Sequence, residues 1–204
     1  MKLYFLPGAC SLADHITLEW SGLTYEAVEM ARDELKSPAY LAINPAGAVP
    51  ALVDDDGWTL TENVAILHYL ADKAPDAGLA GDDARGRAEI NRWLGFLNSD
   101  VHQSFKPLFA PAGFITDESQ HEDLKAQARD KLHARFARID NRLAHATWLG
   151  GETRSIADPY LFVVLRWAHA LKVDLADMPA LDAFFKRMSE DAGVKKALAA
   201  EGLD

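Results

Sequence analysis

The chain has 204 residues, 49% of them apolar and 25% charged, with a formal net charge of −10 at neutral pH. That balance belongs to a folded globular protein with enough interior for a core, and no apolar run approaches the ~20 residues needed to span a bilayer. The acidic excess argues against nucleic acids and anionic membranes as partners, because both require clustered Lys and Arg.

Cys10 is the single cysteine, so no internal disulfide can form and zinc sites built on paired cysteines are excluded. The seven histidines show no metal-ligand spacing, and no metal is expected. Cysteine usage points to a reducing, cytoplasmic setting. The opening apolar run, Met1–Leu6, is too short for a signal peptide and is stopped by Pro7-Gly8.

The first ~80 residues alternate strand and helix signals. Lys2–Leu6 reads as a strand. Ser11-Leu-Ala-Asp14 has the form of a capping box and predicts a helix to Gly22. Tyr25–Met30 is a second strand. Ser37-Pro38 offers an N-cap followed by proline at the first helical position, starting a short helix toward Ile43 that Asn44-Pro45 ends. Val49–Val53 and Trp58–Leu60 flank the turn Asp54–Gly57 as a hairpin. Glu62–Ala74 closes the set as a helix. The order βαβαββα implies a four-stranded mixed sheet flanked by helices, a thioredoxin-like architecture.

Pro75–Asp82 lacks periodicity and reads as a linker. All that follows is helical. Asp83–Phe105 is one amphipathic stretch interrupted by Pro107 and Pro111, and Glu118–Ala146 carries the stripe Leu124, Ala128, Leu132, Phe136, Ile139 and Leu143. Ser155-Ile-Ala-Asp158 is a second capping box, opening the apolar helix Tyr160–Leu171. Pro179–Glu190 and Gly193–Ala200 complete a bundle. The predicted organisation is therefore an α/β domain over 1–76, a linker over 77–84 and an all-helical domain over 85–204.

Four places carry chemistry. Cys10 sits between a strand and a helix N-terminus, where free N–H groups and the helix dipole lower a thiol pKa; its alternative is a small buried hydrophobe. Val49-Pro50 leads into a core strand, where proline cannot donate to the ladder. A cis peptide there turns the Val49 backbone outward for an extended peptide ligand, and an ordinary trans proline is equally compatible. Thr61-Glu62-Asn63 opens a helix whose free N–H groups suit a carboxylate, or simply caps it. His102, in the run to Phe105 and Phe109, is placed to hold or activate a thiol across a domain cleft, or is an interfacial histidine without a special role.

Together these segments resemble the glutathione S-transferase family, bacterial beta class, over essentially the whole chain. The opening Met1-Lys-Leu-Tyr-Phe-Leu-Pro-Gly-Ala-Cys10, the run Asn44-Pro-Ala-Gly-Ala-Val49-Pro50-Ala-Leu, Leu60-Thr-Glu62-Asn63-Val-Ala-Ile, Val101-His102 through Phe109, and Ser155–Asp158 occur in the family's order. The resemblance implies a glutathione co-substrate and a homodimer. It places Cys10 and His102 at the glutathione sulfur, and Val49 and Pro50 along its cysteinyl backbone. Glu62 and Asn63 fall at its γ-glutamyl end, with Ser99 and Asp100 approaching from the partner subunit. Lys36 falls at the glycyl end, and Phe105, Phe109 and Trp167 around an apolar electrophile pocket. The implied activity is conjugation to hydrophobic electrophiles. The alternatives are disulfide reduction through a Cys10 mixed disulfide, and a non-catalytic ligand-binding relative.

Four departures from the family pattern stand out. The segment before Asn44 is about three residues shorter, Gln103 replaces a lysine that commonly follows the histidine, Gly95 stands for asparagine, and Pro159 follows the capping box. A ligand of net negative charge, a strongly acidic chain and a missing cation predict weak affinity. Titration calorimetry with glutathione is expected to give a dissociation constant above the low-micromolar range.

Overall fold

A computed structural model describes residues 1–203. Its sheet holds β1 (Lys2–Phe5), β2 (Glu26–Glu29), β3 (Ala51–Val53) and β4 (Thr59–Thr61) in the order β2-β1-β3-β4. β1 runs parallel to β2, and β3 runs antiparallel to both β1 and β4. The parallel step requires a crossover, supplied by α1 (Ser11–Ser21). Gly22 ends α1 in the left-handed region at φ 70°, its N–H bonded to the Leu18 carbonyl. α2 (Pro38–Leu41) starts at the predicted Ser37 cap, whose hydroxyl accepts from the Tyr40 N–H at 3.2 Å. α3 (Asn63–Lys73) completes the expected βαβαββα order.

The helical half comprises α4 (Ala84–Phe96), α5 (Gln103–Phe109), α6 (His121–Leu143), α7 (Ala157–Ala170), α8 (Pro179–Glu190) and α9 (Ala192–Ala200). Two expectations are corrected here. The stretch expected as one helix from Asp83 changes at Leu97 into a π-helical segment, Leu97–His102, before α5 resumes. Pro107, expected as a break, lies inside α5: it forfeits only its own bond to the Gln103 carbonyl, and the helix ends two residues later.

α1 is the wedge between the halves. Every residue from Ser11 to Leu18 is buried. Leu12, Ala13 and Ile16 join the main core with Leu94, Leu97, Phe105 and the apolar face of α7, while Leu18 belongs to the smaller core under the sheet with Leu3, Leu52, Ile66 and Leu70. The segment between the halves is packed too: Leu79 is buried, and its carbonyl accepts from the Ile156 N–H at 3.1 Å. Among the described residues no helix is long and apolar enough to cross a membrane.

The two capping boxes part company. At α7, the fully buried Asp158 accepts from the Leu149 N–H at 2.8 Å and the Ser155 N–H at 2.7 Å, so this box also ties down the preceding loop. Burial pushes its carboxyl up to about 6 against those hydrogen bonds. At α1 no side chain caps the helix, because the Ser11 hydroxyl bonds Leu6 and Asp14 turns into the interior. Asp158→Ala strands two buried N–H donors and is expected to cost about 3 kcal/mol, read as a lower urea midpoint at unchanged m-value.

Candidate active site

A cavity of about 380 Å³ lies where the N-terminal half meets the π-helical segment. Its wall carries Cys10 and the run Ala48–Pro50 on one side, Glu62 and Asn63 at the start of α3, and Asn98, His102, Lys106 and Tyr160 opposite. The Val49–Pro50 peptide is cis. The approach to Val49 is fixed by side chains: the Asn44 amide and the Tyr40 hydroxyl both donate to the Ala48 carbonyl at 2.7 Å. Gly47, at φ 58°, is required there, since a Cβ would lie 2.7 Å from the Leu35 carbonyl oxygen.

Glu62 also stands in the left-handed region, at φ 73° and ψ 113°. Few side chains tolerate that backbone, and such outliers concentrate where ligands bind. Asn63 beside it is buried and mostly spent on the protein. Oriented to satisfy its neighbours, its amide nitrogen donates to Asp14 Oδ2 at 2.8 Å and the Cys10 carbonyl at 3.3 Å. Burial holds the Asp14 carboxyl well above the usual carboxylate range.

Cys10 Sγ donates to the Val49 carbonyl at 3.6 Å. The expectation of a lowered thiol pKa is overturned. Burial, with the nearby Asp14, pushes the Cys10 thiol up to about 12, against smaller opposing contributions from the N–H groups of Cys10 and Ser11. Desolvation outweighs the helix N-terminus because the sulfur is packed against the core that α1 enters. The thiol is therefore an S–H donor.

His102 faces it. Burial and the Lys106 cation lower its pKa to about 4, so the ring is neutral at physiological pH. Its Nδ1 lies 2.7 Å from the Tyr160 hydroxyl, which donates onward to Asn98 Oδ1 at 3.1 Å. With that proton committed, Nδ1–H donates to Tyr160 and Nε2 is left as an acceptor for the cavity. The π-helical segment presents Asn98 and His102 to the same hydroxyl.

The other predicted residues divide. Lys36 does not line the cavity; its Nζ donates to the carbonyls of Ala46 and Gly47 at 3.1 and 3.2 Å. Lys106 is the cation among the cavity's lining residues. Ser99 and Asp100 lie outside the cavity, on a second groove with Phe114, Lys131 and Arg135. Phe105 is fully buried and so serves as the packed base of an aromatic cluster rather than an open pocket wall. Phe109, 53% exposed, stacks on it at 5.9 Å, and Trp167 stands edge-on to both. Asn98, Tyr160, Lys106 and Asp14 escaped the sequence reading. Asn98, His102 and Lys106 recur every four residues, a spacing that offered a signal for two of them.

Comparison with known proteins identifies the family. A family model described as glutathione S-transferase, N-terminal domain, matches residues 9–73, and one described as the C-terminal domain matches residues 102–192. Glutathione S-transferase GST-4.5 of Xanthomonas campestris pv. campestris is 54% identical over the full length of both chains. A sphingomonad glutathione S-transferase solved with glutathione is 42% identical at TM-score 0.89, covering 100% of each chain. The bacterial beta class enzyme of Sphingomonas chungbukensis is 39% identical at TM-score 0.89, also covering 100% of each chain. With both domains matched and whole-length identity above half, the chain belongs to the glutathione S-transferase family.

Proposed function

We propose that this transferase conjugates the glutathione thiol to apolar electrophiles, a detoxification-type activity, as a cytoplasmic homodimer. The observation that carries the reading is the single cavity joining Cys10, Val49, Glu62 and His102. In it Val49 offers backbone groups to an extended peptide, and Glu62 a carboxylate for an ammonium group. Lys106, rather than Lys36, answers the ligand's glycyl carboxylate. Phe109 and Trp167 present apolar surface to the electrophile. Ser99 and Asp100, outside the protomer's own cavity, suit a role toward a partner subunit.

The protonation states support conjugation over disulfide exchange. Attack on a mixed disulfide needs a Cys10 thiolate, and a thiol at about 12 is ionised to only about one part in 10⁵ at pH 7. As an S–H donor, Cys10 instead hydrogen-bonds the sulfur of bound glutathione. That favours the glutathione thiolate, each unit of lowering corresponding to about 1.4 kcal/mol. Before ionisation the neutral His102 Nε2 accepts from the same thiol; on ionisation the proton leaves to solvent, since a ring with a pKa of about 4 does not retain it. Holding thiol and electrophile together supplies the rest through proximity.

Cys10→Ser retains a donor and should keep conjugation of a chromogenic aryl halide within about tenfold, while Cys10→Ala should lose about 10²-fold in kcat/KM. Conjugation abolished in Cys10→Ser, together with a wild-type disulfide reduction that the same substitution removes, would overturn the assignment. His102 gives a pH test. Its folded-state pKa lies below the ordinary 6.5, so the unfolded chain binds the extra proton and stability drops as pH falls from 6.5 toward 4. His102→Asn is expected to flatten that part of the melting-temperature profile relative to wild type.

A further inference from the structure

One buried carboxylate takes no part in the chemistry above. Glu201, just beyond α9, has a side chain with no exposed surface. Its Oε2 accepts from the Gly8 N–H at 2.9 Å, and its Oε1 lies 2.9 Å from His15 Nδ1 on α1. The carboxylate accepts, so His15 Nδ1 carries the hydrogen of that bond, and His15 Nε2 has no partner. The other end of the same residue is also held: Trp167 Nε1 on α7 donates to the Gly8 carbonyl at 2.8 Å. Gly8 stands at φ 71°, and Leu203 packs over it, 3.8 Å from where a Cβ would sit.

Burying a charged carboxylate is costly, and an apolar side chain would fill such a site at least as well for stability alone. Its two hydrogen bonds go to α1 and to the loop that ends in Cys10. Gly8 is the residue of that loop whose backbone is least restrained by its own sterics. With its N–H and C=O both engaged by side chains of the helical half, the peptide planes on either side of Gly8 are set. The course of Ala9 and the direction of Cys10 Sγ follow.

We propose that Glu201 is a positioning residue for Cys10: paired with Trp167 across the Gly8 backbone, it holds the thiol in its seat against the Val49 carbonyl. The proposal rests on Cys10 being the active-site thiol, as read above.

Because Cys10 is the chain's single cysteine, its alkylation by iodoacetamide reports the seat directly, without glutathione. Glu201→Ala should free the loop. Alkylation is expected to accelerate at least about fivefold, and kcat for conjugation to fall about tenfold with KM for glutathione within about twofold. Glu201→Gln keeps an oxygen for the Gly8 N–H but turns an amide N–H toward His15 Nδ1, so that His15 loses its acceptor. Its melting temperature should drop while its alkylation rate stays within about twofold of wild type. Trp167→Phe, which releases only the Gly8 carbonyl, should accelerate alkylation and decides the matter if Glu201→Ala does not fold. Alkylation unchanged in folded Glu201→Ala, or in Trp167→Phe, would overturn the proposal. So would alkylation that tracks melting temperature equally in the Ala and Gln variants. Cys10→Ala with undiminished conjugation would instead sink the functional reading while leaving the alkylation result intact.

Discussion

Helix α1 has no side open to water over most of its length. One side packs on the sheet through Leu18 and the other on the helical half through Leu12, Ala13 and Ile16. A helix so placed must satisfy every polar side chain it carries from within the protein. Thr17 does so on the Ala13 carbonyl, Asp14 on Asn63, and His15 through Nδ1 alone on Glu201. Two of those partners anchor the loop and helix start on either side of Cys10. Much of the site's geometry is thus the outcome of satisfying buried polar groups on one doubly packed helix.

The same burial decides the electrostatics. Cys10 lies at a helix start, which favours an anion, yet it is packed where an anion is poorly solvated and a carboxyl stands close. Opposite, His102 is kept neutral by burial and a neighbouring cation. The cavity therefore presents one donor and one acceptor, both uncharged, toward a ligand that brings its own charge. Lys106 and Glu62 are the charged side chains among the cavity's lining residues.

Local chemistry was legible and long-range chemistry was not. Ser37-Pro38, Asp83 and Pro179 each start a helix where the residues alone place the start, because a cap needs only its own next turn. Ser11–Asp14 has the same local form and the helix does start there, but no side chain caps it, since Asp14 is claimed by Asn63 from α3. The π-helical turn at Leu97 leaves the apolar pattern continuous on both sides, so periodicity passes over it. Tyr160 is hidden among the buried apolar residues of α7, and only the fold shows its hydroxyl reaching His102. Lys36 is near Val49 in sequence but is committed to the loop's own carbonyls, whereas Lys106 arrives from a distant helix. The sign of the Cys10 shift is the sharpest case: helix position is written in the sequence, and desolvation is not.

The contact between Gly8 and Glu201 joins residues 193 positions apart. A chain emerging from the ribosome presents its thioredoxin-like half, with the only cysteine, long before residue 201 is made. Until residue 167 is made the loop that carries the sulfur lacks both partners of the Gly8 backbone, and until residue 201 it lacks one of them. Seating of the thiol in the proposed way waits on residues made long after Cys10 itself, so that a nascent chain stalled before residue 201 carries the thiol without that contact.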